Sequence, residues 1–231
     1  LLWTRTLAEA GAAVTLVGRR REAAARGLAF GAERALRLED LAPGARLISH
    51  SFKRSGMMEG LDDSFDAVIF IGYHAQAGTP TGLFAHTGSG VVADVRVNGR
   101  SLGEGVLNTL VAGWYGVPVV LVTGDDVAVK QVAGMAADAR TVTVKRAINQ
   151  RAVELRPLDE VHREIEAAAR DAVARATRGA PKRESAYKVE VQFQETFIPE
   201  VAESLPGMQR PAPDTIAFSA DTMPRAYTLI R

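Results

Sequence analysis

Two histidines and one glutamate are the side chains of this sequence whose types and spacing indicate chemistry. His74 is the third residue after the apolar run 65–71, and His86 lies on the Gly-rich stretch beyond it. Glu104 stands between two glycines, where its carboxylate could reach a metal ion or an ammonium group. Imidazole is the commonest metal ligand in proteins and the usual proton carrier near neutral pH. If His74 and Glu104 meet at one edge of a sheet, His86 could act on a substrate bound there.

Each of these residues also has a structural interpretation. A histidine at the end of a strand is often only a hydrogen-bonded structural residue, and a Gly-Glu-Gly sequence is often a turn with a solvated carboxylate. Asp125 and Asp126 end a second apolar run and could join the site or cap the next helix. The sequence has no cysteine, so any metal site must use histidine and carboxylate ligands.

The elements that would position these residues alternate between strands and helices. Apolar runs bounded by turn residues predict strands, and 3.6-residue periodicity predicts helices. The predicted strands are 13–17, 46–49, 66–71, 91–97, 119–123, 141–145, 187–193 and 215–218. The predicted helices are 6–10, 105–113, 127–137, 158–178 and one beginning at 221. Asn98-Gly99 predicts a tight hairpin turn, and 208–213 is predicted to be a loop.

This alternation predicts an α/β fold, a three-layer sheet flanked by helices, with a smaller C-terminal α+β part. We expect the metal-site domain to cover residues 1–150 and the C-terminal part to cover 151–231. Sites in such folds lie at the carboxyl ends of the strands. His74, at the end of one predicted strand, and Asp125, at the end of another, occupy such positions.

The amino-acid composition restricts the partners and the location that we expect for the protein. The 231 residues are 47% hydrophobic and 24% charged, with a net charge of +1, so no nucleic-acid partner is expected. No apolar run approaches the ~20 residues that a membrane span requires. The absence of cysteine is compatible with a reducing compartment, and we expect a cytoplasmic protein.

The middle of the sequence resembles a known family. The resemblance extends from about residue 41 to the end of the chain and is densest between residues 58 and 126. It is carried by segments 58–66, 72–75, 79–80, 97–99, 103–104, 112–115, 117–119 and 123–126, with His86 and Asn108. These segments resemble the zinc-dependent D-aminopeptidases of the dipeptide-operon type.

The resemblance implies a specific chemistry. Members of this family hold two zinc ions, and the match makes His74 and Glu104 ligands of one of them. His86 takes the place of the proposed catalytic histidine. The implied reaction is the release of N-terminal D-amino acids, typically D-alanine, from short peptides by zinc-activated water. The family also forms rings, so a homo-oligomer is expected.

The N-terminal part departs from this pattern. The family's remaining ligands are an Asp-x-Glu pair and an Asp-Ser-His segment, and the sequence has neither; it reads Arg19-Arg20-Arg21 where the second belongs. Two ligands are fewer than the three that catalytic zinc typically has. Residues 1–40 could therefore be truncated or frame-shifted. A degenerate homologue acting as a non-catalytic assembly protein is the main alternative. Residues 7–20 also resemble a short-chain dehydrogenase strand, but they lack the Gly-rich phosphate loop.

Overall fold

The structure is a computed structural model that describes residues 15–17, 43, 45–48 and 53–231. The strands are β1 (Thr15–Val17), β2 (Arg46–Ile48), β3 (Val68–Tyr73), β4 (Val92–Val97), β5 (Arg100–Ser101), β6 (Val119–Asp125), β7 (Arg140–Ala147), β8 (Val153–Leu155), β9 (Tyr187–Phe193), β10 (Gln209–Ala212) and β11 (Thr215–Ala220). The helices are α1 (Glu104–Trp114), α2 (Asp126–Ala133), α3 (Leu158–Ala174), α4 (Phe197–Ala202) and α5 (Met223–Ile230). Residues Gly56–Met58 form a 3₁₀ turn.

A four-stranded sheet carries the segment that ends in His74. Its order is β3-β6-β7-β8, with the first three strands parallel and β8 antiparallel at the edge. Every residue of β6 is buried. Continuous burial is expected for a parallel strand whose two faces are both covered by other elements. The apolar run before Asp125 therefore places that aspartate at the carboxyl end of a central strand.

A second sheet of five strands is antiparallel, in the order β10-β11-β9-β4-β5. The hairpin between β4 and β5 turns at Asn98 (φ 50°) and Gly99 (φ 78°). Positive φ at both central residues is the two-residue hairpin geometry that an Asn-Gly pair favours. A separate parallel pair joins β1 to β2.

Two apolar clusters hold the layers together. The larger contains residues of both large sheets and of α1, α2 and α5, so these helices join one sheet to the other. The smaller joins α3 to β6 and β7 through Val120, Leu121, Val142, Ala169 and Ala172. Helices therefore cover both faces of the four-stranded sheet.

The expected α/β class, with helices flanking the sheet, is confirmed, and the strands are divided between two main sheets. The loop predicted at 208–213 is wrong, because β10 forms there. Pro211 is tolerated since β10 is an edge strand, where a missing N–H costs no ladder bond. Strand β8 and helix α4 had no clear periodicity and were not predicted. The predicted helix at 6–10 lies outside the described residues.

The five-stranded sheet contains strands from both sides of residue 150, and the division into two parts there stays a prediction. Among the helices in the described part of the chain, none combines the length and apolarity needed to cross a bilayer.

A first prediction concerns Gly124, where β6 passes closest to β3. A Cβ atom at this position would clash with the carbonyl oxygen of Tyr73, one residue before His74. We expect Gly124→Ala to lower the free energy of unfolding by about 1–3 kcal/mol, as overpacking does. Gly179→Ala is the control, because a Cβ there meets nothing within 4 Å. Urea denaturation of both variants checks this, and equal stability would contradict the close approach.

Candidate metal centre

His74, His86 and Glu104 converge in the structure. Their ligand atoms all lie within 4.8 Å of one another, and among the described residues they form a group that could hold a metal ion. Two imidazole nitrogens and a carboxylate oxygen are the donor set of one class of catalytic zinc sites. The side chains singled out in the sequence are therefore close enough to act on one ion or one substrate.

The end of β3 positions His74. Gly72 has a φ of 72°, and its N–H donates to Thr123 Oγ1 at 2.9 Å. This conformation favours glycine and turns the chain just as it leaves the sheet. The register with β6 shifts between Phe70 and Tyr73, and Tyr73 then pairs with Gly124. His74 thus leaves the sheet in a direction determined by the backbone of β3 and β6.

The carbonyl group of Ala75 orients both histidines. It accepts a hydrogen bond from His74 Nδ1 at 3.1 Å and another from the backbone N–H of His86 at 3.2 Å. The two imidazole rings stack with their centroids 3.7 Å apart and 16° between their planes. The Gly-rich loop between them is thereby folded back onto the end of β3.

Backbone carbonyls also determine which ring nitrogen of each histidine carries the proton. A carbonyl oxygen only accepts, so Nδ1 of His74 must be the donor to Ala75. Nδ1 of His86 likewise donates to the carbonyl of Phe84 at 2.6 Å. In both neutral rings the Nε2 lone pair is then left for a metal or a proton.

Glu104 reaches the site because glycines flank it. It is the first residue of α1, and a Cβ atom on Gly103 would lie 2.8 Å from Gln76 Cβ. A Cβ on Gly105 would lie 2.5 Å from a methyl group of Val132. The first turn of α1 therefore packs directly on the loop after His74 and on α2. Glu104 is only 8% exposed, which excludes the solvated turn considered for this sequence.

The charge of Glu104 is compensated on several sides. Oε2 accepts from the backbone N–H of Gly88 at 2.9 Å and lies 3.7 Å from His74 Nε2, while Oε1 lies 3.4 Å from Arg231. Burial favours the neutral acid, but His74, Arg231 and the Gly88 amide outweigh it and lower the pKa of Glu104 to about 2. Glu104 is therefore ionised at neutral pH and ready to bind a cation.

The pKa of His74 shifts in the opposite direction from that of Glu104. Burial disfavours its charged form, yet the Glu104 carboxylate and the Ala75 carbonyl raise its pKa above the ordinary value. Asp125 adds a smaller effect of the same sign. The site is thus a negative environment that attracts either a proton on His74 or a metal cation.

Several residues of the site had no role predicted from the sequence. Asn108 is fully buried one turn beyond Glu104 and donates to the hydroxyl of Tyr73 at 2.6 Å. Burial, followed by the charge of Glu104, raises the pKa of both Tyr73 and Tyr227, so both hydroxyls stay neutral. Arg231 lies far from Glu104 in sequence. No local pattern relates residues that only long-range packing brings together.

Asp125 and Asp126 act mainly on the backbone. Asp125 is 0% exposed, and its Oδ1 accepts from the N–H groups of Val127 and Ala128, both at 3.0 Å. Asp126 accepts from the N–H of Ala147 at 2.9 Å. The capping role considered for this pair is confirmed for Asp125. Its second oxygen has no hydrogen-bond partner among the residues that the structure describes.

Comparison with known proteins bears directly on this site. A family model described as Peptidase_M55, D-aminopeptidase, matches residues 29–231, which is most of the sequence. The chain belongs to the D-aminopeptidase family. This confirms the resemblance inferred from the segments around His74, His86 and Glu104. The individual roles of these three residues are not tested by the match and stay predictions.

Two related proteins agree with this placement. The D-aminopeptidase of Bacillus subtilis (strain 168) is 44% identical over 119 residues, 52% of this chain and 43% of that protein. The match thus spans less than half the length of that relative. A solved structure described as the Zn-dependent D-aminopeptidase DppA from Bacillus subtilis, a self-compartmentalizing protease, is similar with a TM-score of 0.78. It is 33% identical and covers 85% of this chain and 72% of its own.

The capping role of Asp125 leads to a second prediction. Asp125→Ala removes the acceptor of two N–H groups at the start of α2 and should cost about 1–2 kcal/mol of unfolding free energy. Asp125→Asn keeps one oxygen acceptor and should cost clearly less. Thermal unfolding of the metal-free variants measures the difference. If both substitutions cost the same, the buried charge of Asp125 matters more than its cap.

Proposed function

We propose that this chain is a zinc-dependent aminopeptidase that releases N-terminal D-amino acids, of the D-alanine type, from short peptides. The observation that carries the proposal is the convergence of His74, His86 and Glu104 in a member of the D-aminopeptidase family. Zinc dependence is supported by the description of the similar Bacillus subtilis structure. The substrate class follows the same family relationship.

In this proposal His74 and Glu104 hold the metal. His74 offers Nε2 because its Nδ1 is bound to Ala75, and Glu104 offers Oε2 as an ionised carboxylate. When bound, zinc lowers the pKa of a water and polarises the scissile carbonyl of the substrate. The two protein ligands come from the end of β3 and the start of α1. Their separation is therefore maintained by the core.

His86 is the proposed proton carrier. Its Nδ1–H is held by the carbonyl of Phe84, so Nε2 can accept a proton from the attacking water. The same nitrogen can then donate that proton to the leaving amine, as general acid–base catalysis requires. The ring of His86 stacks on that of His74, which supports this role. A third ligand role for His86 is the competing assignment, and the two roles differ in what zinc binding requires.

The remaining parts of the proposal concern residues and partners beyond this cluster. In this proposal His74 and Glu104 supply two protein ligands, so a third ligand or a second zinc ion would need residues from elsewhere in the chain. The Asp-Ser-His position expected of the family falls at residues 18–22, which lie outside the described ranges, and the sequence contains no Asp-x-Glu pair. A homo-oligomer and a cytoplasmic location remain part of the proposal. A non-catalytic assembly protein is not favoured, because three ligand atoms converge.

A third prediction tests the metal site. The wild-type chain should bind zinc and hydrolyse D-alanyl p-nitroanilide but not the L-isomer. Glu104→Gln removes the ionised ligand and should weaken zinc affinity by at least about tenfold. His162→Ala is the control, since His162 is exposed on α3. Competition with a zinc indicator measures affinity, and unchanged affinity in Glu104→Gln would remove Glu104 from the ligand set.

A fourth prediction separates the two roles of His86. If His86 carries the proton, His86→Gln should lower kcat by about 10²–10⁴-fold while zinc stoichiometry stays the same. The amide of glutamine cannot accept and release a proton near neutral pH. Steady-state kinetics and metal analysis of the same preparation provide both numbers. Loss of zinc together with activity would instead identify His86 as a ligand.

A further inference from the structure

The guanidinium of Arg231 lies against the carboxylate of Glu104. Its NH1 nitrogen is 3.4 Å from Oε1, and the side chains of Arg231 and Glu104 are 28% and 10% exposed. Because 127 positions separate the two residues in the sequence, only the tertiary fold brings them together. The Glu104 end of this ion pair is buried, whereas the Arg231 end is partly exposed.

The guanidinium of Arg231 lies in a space bounded by Gly56 and Tyr227. Gly56 has a φ of 49°, and a Cβ atom there would lie 2.8 Å from the central carbon of the guanidinium. Only a residue without a side chain leaves this space free. From the other side, the guanidinium carbon lies 6.0 Å from the ring centroid of Tyr227, which is 1% exposed. Arg231 is held in one place by Gly56, Tyr227 and Glu104 together.

The two oxygens of Glu104 have different partners. Oε1 faces Arg231, whereas Oε2 accepts from the N–H of Gly88 and faces His74. A rotation of 180° about the last side-chain bond only exchanges two equivalent oxygens, whereas a smaller rotation turns both oxygens away from their partners. With Arg231 in place, such a partial rotation loses a charge-assisted contact on one side and a hydrogen bond on the other. The plane of the carboxylate therefore has one preferred orientation, with one oxygen toward Arg231 and the other toward the histidines.

We propose that Arg231 is a positioning residue that holds Glu104 so that Oε2 points at the space between His74 and His86. The part of this inference that concerns zinc rests on the proposed function. Groups that hydrogen-bond a metal ligand orient it, and their removal commonly weakens metal affinity by about 10–100-fold. Arg231 would not touch the metal or the substrate and would act through Glu104.

The charge of Arg231 acts in the opposite sense, because a guanidinium repels a bound cation. Its side chain is partly exposed, so water and salt screen that repulsion. Glu104 is more deeply buried and depends on its protein partners for its orientation. Orientation therefore outweighs repulsion, and removing Arg231 weakens zinc binding. Tighter binding on removal would mean that repulsion dominates.

The test uses Arg231→Met and Arg231→Lys, with Arg225→Met as the matched control, because Arg225 is exposed on α5, the helix that Arg231 directly follows. Arg231→Met should weaken zinc affinity at least about tenfold, with partial recovery in Arg231→Lys. The visible absorption band of the cobalt(II)-substituted protein should change in Arg231→Met alone. Unchanged or tighter binding in Arg231→Met overturns the proposal.

A second measurement needs no metal. Hydrogen exchange of the Gly88 amide reports on its bond to Glu104 Oε2, and it should be about tenfold faster in metal-free Arg231→Met. An unchanged rate would show that Glu104 keeps its orientation without Arg231 and would overturn the inference. A wild-type chain that binds no zinc removes the proposed function instead. The exchange rate then still decides whether Arg231 positions Glu104.

Discussion

Glu104 imposes the central physical constraint on this structure, because its negative charge is buried beside the core. Removing a carboxylate from water costs several kcal/mol unless nearby groups compensate it. Here the compensation comes from the Gly88 amide, from His74 and from Arg231. These partners belong to three separate segments, so the charge of one side chain ties together the loop, the end of β3 and the end of α5.

The glycines around the site follow from this constraint. Helix α1 must start close to the loop after His74, or the carboxylate would not reach its partners. Gly103 and Gly105 allow that approach, and Gly124 lets β6 lie against the backbone of Tyr73. Gly56 likewise leaves room for the guanidinium of Arg231. These glycines thus allow close packing around the buried charge of Glu104, and only some of them are needed for turns.

Much of the fold could be predicted because its signals are local. The apolar runs at 66–71 and 119–123 became β3 and β6, and Asn98-Gly99 formed its hairpin turn. Helix α1 likewise began beside Glu104, within one residue of its predicted start. Strand β10 was missed, since a short edge strand with a proline resembles a loop in sequence. Its identity depends on pairing with β11, which no local pattern reveals.

The candidate site, like the fold, could be predicted from the sequence only in part. The sequence by itself determined which side chains can do chemistry, His74, His86 and Glu104, and the family to which their segments belong. Only the tertiary structure decided that Glu104 is buried and ionised, that the two imidazole rings stack, and that Arg231 completes the carboxylate's surroundings. The physical reason is that charge, orientation and burial depend on groups brought together by long-range packing, whereas residue type and strand pattern are written locally along the chain.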